Sequence, residues 1–159
     1  MKKGLLAIVF PFILLLSGCF SDPVQDDLLN YVNKEMKQPG KLEAAAISAY
    51  ESETGANYQD DQKLYDVLTK KVIPTYNEFI QELNSVKIET DELKEIHKIY
   101  MEGANIQYKA FVKIKQALEA QDPAMIQEAN DMLADAKVHI LEYKTKLNQL
   151  AKEHNVKFN

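Results

Sequence analysis

The clearest structural signal in the sequence is a long C-terminal stretch, residues 123–154, which reads PAMIQEANDMLADAKVHILEYKTKLNQLAKEH. Apolar and small side chains recur along it at alternating steps of three and four residues. These positions are Ile126, Ala129, Leu133, Ala136, Ile140, Tyr143, Leu147, Leu150 and His154. Such a heptad seam is typical of helices that pack nearly parallel to their neighbours. The stretch therefore predicts a long C-terminal helix in a helical bundle.

Two further apolar stripes precede this helix. One runs from Leu93 to Leu118 and begins after Thr90, a residue type that caps helix starts. The other runs from Leu64 to Val86 and begins after Asp60 or Asp61. Pro74 lies inside this stripe, so we expect the third helix to be kinked there.

The N-terminal part of the mature chain predicts two shorter helices. An Asp-Pro pair at residues 22–23 is a start signal, and Gln-Pro-Gly at residues 38–40 is a stop signal. The apolar stripe of this first helix comprises Val24, Leu28, Leu29, Val32 and Met36. An Ala-rich helix follows over residues 42–54, with Gly55 as a left-handed cap. We therefore predict a single all-α domain over residues 22–159, an up-and-down helical bundle of four to five helices.

The charge pattern argues against nucleic acid as a partner. The formal net charge is −5, and the sequence contains no Arg at all. Arg is the side chain that grips phosphates and base edges in a bidentate fork. An acidic surface is also repelled by anionic lipid headgroups, so any membrane attachment must come from a lipid.

The first 19 residues have the three-part layout of a secretory signal. Lys2 and Lys3 form a positive region, residues 4–16 are apolar, and two small residues precede Cys19. The apolar run is shorter than the roughly 20 residues of a membrane-spanning helix. Because Cys19 is the only cysteine, no disulfide can form within the chain.

The tetrapeptide Leu16-Ser17-Gly18-Cys19 resembles the lipobox of bacterial lipoproteins. The resemblance implies removal of residues 1–18, a diacylglycerol on Cys19 and a short tether at residues 19–21. It also implies a location on the extracytoplasmic face of the cell membrane. An ordinary signal beside a chance cysteine is the alternative, but a lone thiol in an exported protein needs a reason. The mature part is similar to small helical lipoproteins of Gram-positive bacteria.

Five soft side chains are the only candidates for a metal or haem site. They are His97, Met101, Met125, Met132 and His139. Thioether and imidazole ligands suit copper or haem, but Met more often fills gaps at the edge of a core. We therefore expect no metal and no cofactor. The Glu-x-x-His pairs of di-iron bundles are also missing.

No arrangement of residues in the sequence predicts an enzyme. The paired carboxylates fall at predicted helix starts, where capping explains them, and no phosphate loop or nucleophile motif is present. Three tyrosines lie off the predicted seams and hint at a contact surface: Tyr58, Tyr65 and Tyr108. The sequence thus favours a non-enzymatic binding or protein-interaction module anchored in the envelope. The alternatives are a metal or small-molecule carrier and a self-associating structural protein of the envelope.

Overall fold

The structure is a computed structural model that describes residues 22–157, and every regular element in that range is a helix. The α-helices are α1 (Pro23–Asn30), α2 (Lys37–Glu51), α3 (Asp61–Val67), α4 (Ile73–Ser85), α5 (Asp91–Ala120) and α6 (Pro123–Glu153). Two π-helical segments, Tyr31–Glu35 and Leu68–Val72, join α1 to α2 and α3 to α4. A short 3-10 turn lies at Gly55–Asn57. The predicted all-α class is confirmed.

Within the described range, four long helical segments form an up-and-down bundle. They are α1 continued by α2, α3 continued by α4, then α5, and finally α6. Short loops join successive segments, which makes neighbours antiparallel. The largest interface is between α5 and α6, whereas α2 packs mainly on α4. The predicted bundle is therefore confirmed.

Both prolines inside the first two segments follow a π-helical turn. The stop predicted at residues 38–40 is wrong, because α2 already begins at Lys37 and continues to Glu51. Pro39 lies in the first turn of α2, where a missing N–H costs nothing since that group has no helical partner. Pro74 is likewise in the first turn of α4, directly after the second π segment. The interruption expected at Pro74 is thus a π-helical turn.

The predicted seams form most of the core. Every apolar position of the stripe that starts at Leu64 is buried up to Leu83. In the stripe that starts at Leu93, the apolar seam positions are buried as far as Ile114, and Gln107 between them is half-buried. The largest fully buried side chains include Tyr31, Tyr76, Phe79 and Phe111. The first stripe was partly wrong, because Leu29 is 42% exposed and Tyr31 is fully buried in its place.

Aspartates cap three of the helices. Asp22 accepts from the N–H groups of Val24 and Gln25, Asp60 from that of Lys63, and Asp122 from that of Ala124. Thr90 holds the predicted N-cap position of α5, but its side chain does not cap that helix.

The Thr90 hydroxyl instead donates to the buried carboxylate of Asp27, at 2.7 Å. The same carboxylate oxygen accepts from the N–H groups of Glu89 and Thr90, at 3.1 and 2.9 Å. Asp27 thereby ties the loop between α4 and α5 to α1.

A glycine sets the close approach of α5 and α6. A Cβ added at Gly103 would lie 2.9 Å from Cβ of His139 and 3.2 Å from the carbonyl oxygen of Ala136. Several further small side chains of the two helices are buried: Ala104, Ala110, Ala117, Ala129 and Ala136. At Gly103 the backbone of α5 therefore lies directly against α6.

Candidate functional site

The predicted lipidation site, Cys19, lies outside the described residues, as do the leader and Phe20-Ser21. Among residues 22–157, no helix combines the length and the apolar character needed to cross a membrane.

A chain of buried hydrogen bonds joins all four segments of the bundle. The Tyr31 hydroxyl lies 2.9 Å from Nδ1 of His97 and 3.2 Å from the hydroxyl of Tyr143. On the other side of the imidazole, Nε2 lies 3.1 Å from the carbonyl oxygen of Leu83. We call Tyr31, His97 and Tyr143 the tyrosine–histidine network.

The proton positions in this network follow from the Leu83 carbonyl, which can only accept. Nε2 of His97 must therefore carry a proton, and Nδ1 of the neutral ring accepts from the Tyr31 hydroxyl. Tyr31 is then left to accept from Tyr143. Burial lowers the pKa of His97, which keeps the ring neutral. Burial raises the pKa of Tyr31 strongly and that of Tyr143 to about 12.

An aromatic stack connects the network to Glu43 on α2. The rings of Tyr100 and Tyr143 are parallel within 10°, with centroids 4.4 Å apart. Burial raises the pKa of the Glu43 carboxyl, while a contact with the Tyr100 hydroxyl and the charge of Lys144 lower it in part. Buried polar groups are stable only when they have partners, and these groups supply one another. The network therefore fixes how the four helical segments pack against one another.

The two histidines of the candidate ligand set lie in different surroundings. His97 lies in the core with both ring nitrogens engaged, so it cannot bind a metal without losing a hydrogen bond. His139 lies against Gly103 at the α5–α6 contact. In the part of the chain that the structure describes, no three His, Cys, Asp or Glu side chains are grouped so that they could hold a metal ion.

The off-seam tyrosines have different surroundings. Tyr58 is 48% exposed and donates to Asp61 at 2.7 Å. Tyr65 donates to Glu119 at 2.9 Å, and Tyr108 stacks on Tyr76. Tyr58 and Tyr65 line adjoining grooves on either side of Asp61, and the contact surface suggested by the sequence stays a prediction.

The most exposed large apolar side chains lie instead on α6. Val138 is 60% exposed and Leu141 is 52% exposed, and they are one turn apart. Beside Leu141, a groove of about 340 Å³ opens between α2 and α6, over the α5 residue Gln107. Its apolar lining comprises Ile47, Tyr50, Leu133, Ile140 and Leu141. Lys137 and Lys144 line the α6 side of the groove.

Sequence reasoning missed both features. It placed His97 beside the core, although the residue lies four after Leu93 and three before Tyr100, which is a seam spacing. Val138 and Leu141 lie outside the heptad seam of the same helix, and isolated apolar residues off a seam do not indicate a surface patch. No protein-family model matches the chain, and no curated protein or solved structure is detectably similar to it.

Proposed function

We propose that this chain is a lipid-anchored protein of the extracytoplasmic face of the cell membrane, acting as a non-enzymatic protein-interaction module. The residues Leu16-Ser17-Gly18-Cys19 support the anchor. Two acyl chains on Cys19 suffice for stable attachment, since each buried methylene adds about 0.8 kcal/mol. Only two residues separate Cys19 from Asp22, so α1 starts close to the membrane surface.

The observation that carries the interaction role is the exposed apolar face of α6. Single apolar side chains on a surface are ordinary, but Val138 lies one turn from Leu141, and Leu141 lines an apolar groove. Among residues 22–157, α6 packs mainly on α5, and its opposite face is exposed at Val138 and Leu141. The side chains of the tyrosine–histidine network, by contrast, are hydrogen-bonded to one another and to the Leu83 carbonyl.

A photo-crosslinking amino acid in place of Leu141 tests the interaction role in intact cells that express the full chain. We expect a discrete protein adduct at Leu141 and none at Gln81, an exposed position on α4 that serves as the control. Equal labelling at the two positions, or none at either, would contradict the proposed function.

A small-molecule carrier is the second candidate, and the groove between α2 and α6 favours it. Its volume of about 340 Å³ is at the lower end for ligand sites, and most of its lining is apolar. A carrier would bind an apolar fluorescent probe one to one, and Ile140→Glu would abolish that binding. Lack of a saturable signal would remove this candidate.

A further inference from the structure

The exposed face of α6 carries a second apolar stripe, opposite to the seam that packs on α5. At 100° per residue, four exposed side chains share this face at steps of four, three and four: Ala134, Val138, Leu141 and Thr145. The Thr145 hydroxyl already donates to the carbonyl oxygen of Leu141, so its polar group is satisfied within the helix. The stripe has the spacing of a coiled-coil seam and lies at the middle of α6.

Charged residues of opposite sign flank the two sides of this stripe. Asp135 and Glu142 follow one edge, and Lys137 and Lys144 follow the other. All four side chains are exposed. Glu142 already pairs with Lys146 at 3.1 Å on the exposed face of the helix, where such pairs are weak. A partner helix is favoured when it offers lysines to the first edge and carboxylates to the second.

We propose that the partner is a second copy of this chain, whose α6 pairs in parallel with α6 of the first. A parallel two-fold axis sets the acidic edge of one helix against the basic edge of the other, and a coiled-coil register brings Lys137 opposite Glu142 of the partner on both sides. An antiparallel pair would set like charges against each other, because the same edge then faces itself. Charge complementarity thus selects both the partner and its direction.

The parallel direction also agrees with the proposed anchor, on which this inference rests. A two-fold axis along the bundle places both copies of Asp22, and hence both lipids, at the same end of the dimer. Two chains anchored in the same membrane already point in the same direction, so they can pair in parallel without reorientation. The stripe spans only about 17 Å of helix, so the contact is weak between free molecules. Confinement in the membrane raises the local concentration and compensates for that weakness.

Disulfide trapping in membranes of cells that express the full chain tests this pairing. In a parallel pair each residue of the stripe faces its own copy, so Leu141→Cys and Val138→Cys should each give a covalent dimer on mild oxidation. The wild-type chain, whose only cysteine is Cys19, and Gln81→Cys are the controls and should remain monomeric. Yields at positions 138 and 141 no higher than in Gln81→Cys would overturn the proposal.

Charge reversal gives an independent readout on the Leu141→Cys background. Lys137→Glu should lower the dimer yield roughly fivefold, because two attractive pairs become repulsive. Adding Glu142→Lys restores opposite charges and should restore the yield. An unchanged yield in Lys137→Glu, or no recovery in the double variant, would contradict the charge argument.

The photo-crosslinking experiment at Leu141 separates this inference from the proposed function. An adduct of twice the chain mass that contains only this protein supports both. An adduct that contains only a different envelope protein overturns the second-copy partner and leaves the interaction role standing. Absence of any adduct overturns both.

Discussion

The imidazole of His97 sits in the core between a phenol and a backbone carbonyl, and each ring nitrogen has one hydrogen-bond partner. Protonation of Nδ1 would turn the acceptor of the Tyr31 bond into a donor and place a charge where water cannot reach it. The ring therefore stays neutral at a pH at which an exposed histidine is already protonated.

This burial gives the fold a defined pH dependence. Because the pKa of His97 is lowered in the folded state, the unfolded chain binds the proton more readily. The contribution of His97 to stability is fully present above the ordinary pKa of 6.5 and declines as the pH falls from there towards the lowered value. We expect the free energy of unfolding of the wild type, from urea denaturation, to fall more steeply than that of His97→Gln between about pH 7 and about pH 5.

Tyr31→Phe is the matched control, since it removes a hydroxyl from the network but keeps the buried imidazole. It should lower stability at neutral pH by about 1–3 kcal/mol, the loss of two neutral hydrogen bonds, and keep most of the wild-type slope, because burial of the ring is the main cause of the lowered pKa of His97. Parallel curves for the wild type and His97→Gln would show that His97 is not the source of the slope.

Individual core residues could be predicted where spacing alone decides burial. Phe79 and Phe111 belong to long stripes, and both are fully buried. The bond between Tyr31 and His97 could not be predicted in this way, because 66 residues separate them and periodicity describes one helix at a time. Their partners follow only from the register in which the helices pack.

Two glycines in helices have opposite surroundings, one crowded and one open. Gly103 lies where α5 touches α6, whereas nothing lies within 4 Å of a Cβ added at Gly40 in α2. Alanine favours a helix over glycine by about 1 kcal/mol. At Gly40, where there is space for a Cβ, alanine keeps this gain in stability. At Gly103 the strain of overpacking, about 1–3 kcal/mol, exceeds the gain.

We therefore expect the two Gly→Ala substitutions to change stability in opposite directions. Gly40→Ala should raise the free energy of unfolding by about 0.5–1 kcal/mol, and Gly103→Ala should lower it by about 1 kcal/mol. Chemical denaturation followed by circular dichroism measures both. A stabilised Gly103→Ala protein would mean that α5 and α6 are not as close as described.

Helix boundaries were the part of the fold that the sequence predicted least well. Pro39 and Gly40 have the residue types of a stop signal, and a stop was expected there. The π turn at Tyr31–Glu35 resets the hydrogen-bond register, so Pro39 becomes a first-turn residue instead of an interior one. Sequence spacing does not report such a shift, because one extra residue in a turn alters the pattern only locally.

Membrane attachment is the prediction that concerns the whole molecule. Cys19→Ala removes the sulfur that would carry the diacylglycerol, so we expect no acylation and an uncleaved precursor. Metabolic labelling with a fatty-acid analogue measures acylation, and electrophoretic mobility measures the removal of residues 1–18. Ser21→Ala changes a neighbouring residue outside the lipobox and should label like the wild type. Label that persists in the Cys19→Ala protein would end the lipoprotein interpretation.

The first and last helices are fastened to each other at one end of the bundle. Nδ1 of His154 lies 2.6 Å from the Asp22 carboxylate, and the Gln25 amide donates to the carbonyl oxygen of His154 at 2.9 Å. A pull on the residues before Asp22 is therefore shared by α1 and α6 from the outset. The part of the load that reaches α6 acts along its interface with α5, the largest between two helices of the bundle, so many contacts resist it together. A bundle fastened in this way should withstand a pull on its N-terminal end better than the same bundle held by α1 alone.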